Sequence, residues 1–250
     1  MDGQLVELNQ LPSRGYGYPQ DIEIYVKPLT IKEQIDMERF GISDAEYFRI
    51  LLNGITIHGN FDKNNLLHSD VQFMDVVRRL FSFNTNEKIK IENCTCIHPD
   101  CEHKFNYEFT MDELYFTDFE EDIFGKHFVF GEGTDDELEV VVFPITVSEY
   151  INMSKQFRNN TDKKTILSAM YTEYMCTCIR EIVGREFKDM RDRNAFLRSY
   201  INDLCMAKDK NILKEIVDKT IIKIEPFKLI CESCGRETEV VVTPTSNFQQ

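Results

Sequence analysis

The chain has 250 residues, 42% hydrophobic and 12% aromatic, enough to bury a sizeable core in one large domain or two small ones and too apolar for a disordered segment. Its formal net charge of −14 argues against a protein whose main work is gripping nucleic-acid phosphates, which requires clustered Lys and Arg. No run approaches the roughly 18 apolar residues that cross a bilayer, and the opening Met1-Asp2-Gly3-Gln4-Leu5 lacks the basic and apolar regions of a signal peptide. A reducing, cytosolic setting is expected, and there eight cysteines point to metal more readily than to disulfides.

In chain order, residues 22–26 are rich in β-branched and aromatic side chains and read as a strand, ended by Pro28, which cannot donate to a ladder. Thr30 then caps a helix, and Glu33 three residues on completes a capping box. Ile31, Ile35 and Met37 roughly continue its apolar face. A second helix opens at Ser43 with Glu46 and runs to about Asn53. A third opens at Ser69 with Gln72; Val71, Phe73, Met74, Val76, Val77, Leu80 and Phe81 give it a broad buried face.

Short strands at 88–92 and 104–109 then flank Cys94, Cys96 and Cys101. Between Asp112 and Glu139 eleven acids face one base, Lys126, which reads as a solvated connector or, alternatively, as a docking face for a basic partner. Gly131-Glu132-Gly133 reads as the turn of a hairpin joining 128–130 to 137–143. Further helices are expected near 162–182, 189–206 and 211–219, and strands at 227–230 and 239–243 bracket Cys231 and Cys234.

Residues 22–37 and 138–153 match at a constant offset of 116, with seven of sixteen positions identical: Glu23/Glu139, Val26/Val142, Pro28/Pro144, Thr30/Thr146, Glu33/Glu149, Ile35/Ile151 and Met37/Met153. Strand, proline stop and capped helix are therefore written twice, and each copy leads through helices to its own cysteine cluster. The four capping residues Thr30, Glu33, Thr146 and Glu149 are expected to be structural.

The cysteine clusters carry the chemistry. Cys231-Glu232-Ser233-Cys234-Gly235 folds sharply back over a metal, with Gly235 free to take a positive φ. The first cluster is stretched, with four residues between Cys96 and Cys101 and Glu102 in the place of the glycine. Two hairpin tips, each giving two thiolates to one tetrahedral ion, make a zinc ribbon. The expected ligands of one structural zinc are Cys96, Cys101, Cys231 and Cys234, with Cys94, His98 and His103 as rivals around the first tip. Cys176, Cys178 and Cys205 read as buried thiols of helices, and His58, His68 and His127 as surface or satisfied polar residues.

Leu11-Pro12-Ser13-Arg14-Gly15-Tyr16-Gly17-Tyr18-Pro19, followed by the strand and by Lys27-Pro28-Leu29-Thr30, resembles the N-terminal signature of baseplate hub proteins from contractile-tailed bacteriophages of the T-even type. Those proteins open Leu-Pro-Ser-x-Gly-x-x-Tyr-Pro, share the Lys-Pro-Leu-Thr junction and carry a cysteine knuckle midway. The similarity covers the first half through about Asp112 and is looser beyond it, where Phe143 to Thr146 and the second cysteine pair are the landmarks. The resemblance implies a virion or assembly protein, made in the host bacterial cytoplasm, that helps build the hub of the tail baseplate. Its partners would be other phage tail or baseplate proteins, with further copies of the chain as an option and without nucleic acid or membrane.

Catalytic signatures are missing: there is no Gly-x-Ser-x-Gly elbow, no phosphate-binding Gly-x-x-x-x-Gly-Lys loop and no His-Glu-x-x-His. Four cysteines around zinc leave no position open for water, so the ion reads as structural and the protein as a non-enzyme. The competing class is a zinc-ribbon accessory protein of a transcription or replication complex. Against it stand the charge and the tips Ile97–Asp100 and Glu232-Ser233, which hold no Lys or Arg cluster. The expected architecture is α+β, with two pseudo-repeated strand–helix lobes and helical bundles, 1–130 and 131–250, joined by the shared four-cysteine ribbon.

Overall fold

The computed structural model describes residues 3–39, 41–82, 89–110, 113–115, 124–157, 163–204, 209, 211, 213–215, 224–241 and 248–249. The fold is mixed α and β, and its sheets are small and antiparallel. In the first sheet β2 (Glu23–Val26) is the central strand, with β1 (Gln4–Val6) on one side and β3 (Ile55–His58) on the other. Ile24 and Val26 are wholly buried, as alternation along a strand with one covered face requires. Between β2 and β3 lie α1 (Ile31–Glu38) and α2 (Asp44–Asn53), capped by Thr30 and Ser43 with both capping boxes formed. The third helix, α3 (His68–Ser82), starts one residue before the expected Ser69.

A second three-stranded sheet follows later in the chain. Central strand β7 (Leu138–Val142) lies between β6 (His127–Phe130) and β8 (Ile179–Ile182), with α4 (Val147–Ser154) and α5 (Lys163–Cys178) between β7 and β8 and α6 (Met190–Ser199) after it. Helix α4 occupies the positions of α1 shifted by 116, and Thr146 with Glu149 rebuilds the capping box. The hairpin expected at Gly131–Gly133 is present, with Phe130 opposite Leu138.

One expectation fails here: residues 179–182 are a strand, not the end of a helix. Ile179 and Ile182 are buried against β7, and the Phe143 amide bonds the Cys178 carbonyl, so sheet pairing overrides helical continuation. Helix α6 starts where a helix was expected, capped by Asp189, but it loosens into a π-helical turn at Tyr200–Leu204. Residues 205 and 206, and most of 211–219, lie outside the described residues.

Two hairpins complete the chain: β4 (Ile89–Thr95) with β5 (Lys104–Phe109), and β9 (Phe227–Ile230) with β10 (Glu237–Val240). Strand β10 begins two residues before the expected 239, and 242–247 are outside the described residues. A short strand β11 (Phe248–Gln249) pairs with β4. Phe227 of the second hairpin lies 5.0 Å from the Phe109 ring and 4.9 Å from the Tyr107 ring of the first, over Val76 of α3.

The cysteines are not the sole link between halves. Val147, Tyr150 and Ile151 of α4 join the apolar core of the first half. Tyr150 stacks on His68 at 3.9 Å, and the Val147 amide donates to the Leu66 carbonyl at 2.8 Å. On α1 the corresponding expectation is corrected: Met37 is buried, but Ile31 and Ile35 are 79% and 63% exposed. Phe81 likewise turns outward, 37% exposed, while Val71, Phe73, Met74, Val76 and Val77 are buried as read; the Leu80 side chain lies outside the description.

Candidate metal centre

A hairpin brings residues either side of its turn together, and both cysteine pairs sit at such turns. In the first, the Cys96 amide donates to the His103 carbonyl at 3.0 Å and the Cys101 amide to the His98 carbonyl at 2.9 Å. In the second, the Cys231 amide donates to the Arg236 carbonyl at 2.9 Å and the Gly235 amide to the Cys231 carbonyl at 2.8 Å. Gly235 has φ +68°, the left-handed conformation a side chain disfavours.

The two tips face each other. Cys96 Sγ is 3.8 Å from Cys234 Sγ, Cys101 Sγ is 3.8 Å from Cys231 Sγ, and all four sulfurs lie within 4.8 Å of one another. A regular tetrahedron with metal–sulfur bonds of about 2.3 Å has sulfur–sulfur edges of about 3.8 Å. The donor set and its spacing fit a four-thiolate ion, and these residues could hold one. Cys96, Cys101 and Cys231 are buried and Cys234 is half-buried, so the site is shielded but reachable.

The surroundings favour thiolate at Cys234. The Arg236 amide bonds the Cys234 sulfur and, with help from the Arg236 side chain and against the cost of burial, lowers its pKa to about 6. At Cys101 the His103 amide acts in the same direction, but burial and the neighbouring sulfurs outweigh it and push the thiol up to about 11. Four sulfurs this close hinder each other's ionisation, and a bound cation relieves that conflict. Arg236 also bonds Asp100 across the tips at 2.6 Å, which holds that carboxyl below its usual range.

The rival ligands are engaged elsewhere. Cys94 Sγ points to the Ile91 carbonyl at 3.7 Å, His98 Nε2 donates to the Glu237 carbonyl at 2.8 Å, and the His103 ring stacks on Phe105. Sequence reading missed Thr238, wholly buried, whose hydroxyl accepts from the Ile97 amide at 3.1 Å. With His98 and Arg236–Asp100 it clasps the tips together. Only the Cys-x-x-Cys spacing announced this region; contacts spanning about 140 residues leave no local trace.

The sequence model of the family described as T4 bacteriophage base plate protein matches residues 6–249. The chain belongs to this family. No curated protein and no solved structure matches it.

Within this base plate protein, the N-terminal signature has a physical role that sequence alone hid. Asp70 of α3 is wholly buried and accepts from the Ser13 amide at 2.9 Å, the Ser13 hydroxyl at 2.5 Å and the Tyr18 hydroxyl at 2.7 Å. Tyr18 in turn accepts from the Leu67 amide at 2.7 Å. Burial pushes the Asp70 carboxyl up to about 6 despite these bonds. The loop is thereby tied to the start of α3, next to α4.

The capping glutamates do more than cap. Although burial opposes it, bonds from Thr30 and Arg78 hold the Glu33 carboxyl below its usual range. The wholly buried Arg78 bonds Glu33 Oε1 at 3.3 Å and the carbonyls of Lys27, Ile50 and Leu51. Arg180 binds Glu149 and the Pro144 carbonyl in the second half. An open cleft between Tyr16–Tyr18, Phe61 and Phe143–Pro144 has Arg180 as its one charged wall residue among those described, and that guanidinium is committed to Glu149.

Of the remaining residues singled out, Cys176 and Cys178 are wholly buried in the second core, and burial pushes Cys176 up to about 12. Cys205 lies outside the described residues. His127 Nδ1 lies 2.6 Å from Glu139 Oε1, a partner that sequence reading did not find. Among the described residues no helix is long and apolar enough to cross a membrane.

Proposed function

We propose that the chain is a structural or assembly component of the baseplate hub of a contractile phage tail, acting through contacts with other tail proteins. The family match across nearly the whole chain carries this reading. The role is architectural rather than catalytic: buried acids such as Asp70, Asp75 and Glu173 are spent on internal hydrogen bonds, not aimed into the cleft.

One zinc ion, held by Cys96, Cys101, Cys231 and Cys234, staples the hairpins of two pseudo-repeated halves. The tetrahedral spacing of sulfurs contributed by remote parts of the chain supports it. In this reading the halves divide ahead of β6, because β6 is hydrogen-bonded to β7. Such an ion supplies stability, since folding free energy and metal binding are coupled.

Two measurements test the reading separately. Elemental analysis of the purified chain should give one zinc per molecule; absence of metal removes the staple and leaves the baseplate role standing. Affinity capture from infected cells should recover stoichiometric baseplate proteins, and recovery of nucleic acid without them refutes the hub role.

A further inference from the structure

Helix α4 shows what the outer face of such a helix is used for. Its Val147 is buried and its Ile151 half-buried against the first-half core, and α2 packs on this helix. The residues 116 positions earlier, Ile31 and Ile35 on α1, repeat this apolar pair one turn apart. Yet they are 79% and 63% exposed. Met37 faces inward at 5% exposure, so the isoleucines form a separate stripe that this chain leaves uncovered.

We propose that this stripe is a self-association face, on which α1 of a second copy of the chain packs antiparallel across a two-fold axis. Charge selects this occupant. Lys32 and Asp36 follow the two isoleucines by one residue each and so lie on one flank of the stripe. A two-fold axis midway between Ile31 and Ile35 keeps that flank on the same side in both copies and reverses its direction. Lys32 of each copy then stands within about 3 Å, along the helix axis, of Asp36 of the other. Two reciprocal ion pairs run along one side of four isoleucines, the self-complementary pattern of an isologous contact. One eight-residue helix per copy makes a small interface, of the weak class below about 1,200 Å² in total, suited to copies concentrated side by side in an assembly. The contact is remote from the cysteine tips in sequence and does not depend on metal.

Sedimentation velocity of the full purified chain from about 10 μM to about 1 mM tests it. The unmodified protein should pass from monomer to dimer within this range. Ile31→Asp with Ile35→Asp should weaken the dimer at least tenfold while leaving the circular dichroism unchanged, because neither side chain is packed. Lys32→Glu and Asp36→Lys should each abolish the dimer, and their equimolar mixture should restore it, since both cross pairs are then opposite in sign. A protein that stays monomeric throughout overturns the proposal and leaves the stripe to a different protein. A dimer indifferent to these substitutions, or a mixture that fails to associate, overturns it equally.

Discussion

Replacing Cys231 by Ser tests the staple directly. Cys231 is the most buried of the four thiols, 1% exposed, and its sulfur stands 3.8 Å from that of Cys101, 130 residues away in the chain. Cross-linking a loop of that length removes unfolded-state entropy equivalent to about 5 kcal/mol at 25 °C. For a chain of this size each kcal/mol corresponds to about 2–4 °C, so a lost staple should lower the melting temperature by about 10–20 °C. That figure is an upper bound, because α4 packs on the first half independently of the cysteines and limits how far the halves separate. The assay is elemental analysis paired with thermal unfolding followed by circular dichroism. The variant should lose its metal and melt early, and a cysteine variant that retains both metal content and melting temperature refutes the shared site.

The remaining expectations concern the interior. Cys176→Ala should leave metal content unchanged, since that thiol lies in the second core; a stoichiometric loss in elemental analysis would show that the ligand set is wrong. Gly54→Ala should cost about 3–5 kcal/mol in urea denaturation, because a Cβ there would lie 2.0 Å from the Arg78 guanidinium carbon and expel a buried charge from its carbonyl and Glu33 partners; a loss within the ordinary range of about 1 kcal/mol would contradict that account. His68 gives an acid limb: burial lowers its pKa to about 3, so between the usual 6.5 and that value the unfolded chain binds a proton that the folded protein refuses. Stability from this group is present above pH 6.5 and falls as pH drops through the window. By pH 4 the loss is about 3 kcal/mol. His68→Phe should retain the stack on Tyr150 and remove this part of the acid loss in paired urea melts at pH 7 and pH 4; an identical pH dependence in both proteins would sink the argument.

Much of the architecture was legible because its signals are local. Thr30, Glu33, Thr146 and Glu149 announce helix starts through bonds spanning three residues, and both capping boxes form where they were read. Alternation and turn glycines located β5, β6 and β7, and Cys-x-x-Cys-Gly announced a hairpin tip. Where local preference competed with pairing it misled: Ile179–Ile182 continue a helical pattern yet complete the edge of a sheet. Strands β1 and β3 went unread because their partner, β2, is what makes them strands.

The amino-acid order by itself therefore determined the caps, the stops, the paired junctions and the cysteine spacing, all of which depend on neighbours within a few residues. Tertiary structure alone decided that Asp70 closes on Ser13 and Tyr18, that Arg78 sits wholly buried against Gly54, and that Val147 of α4 is covered while Ile31 and Ile35 of α1 are exposed. It also decided that the two remote cysteine pairs lie at tetrahedral spacing. The reason is physical: a hydrogen bond within one turn is encoded by spacing, whereas the burial of a charge, or of an isoleucine, depends on which distant surface the completed fold brings over it.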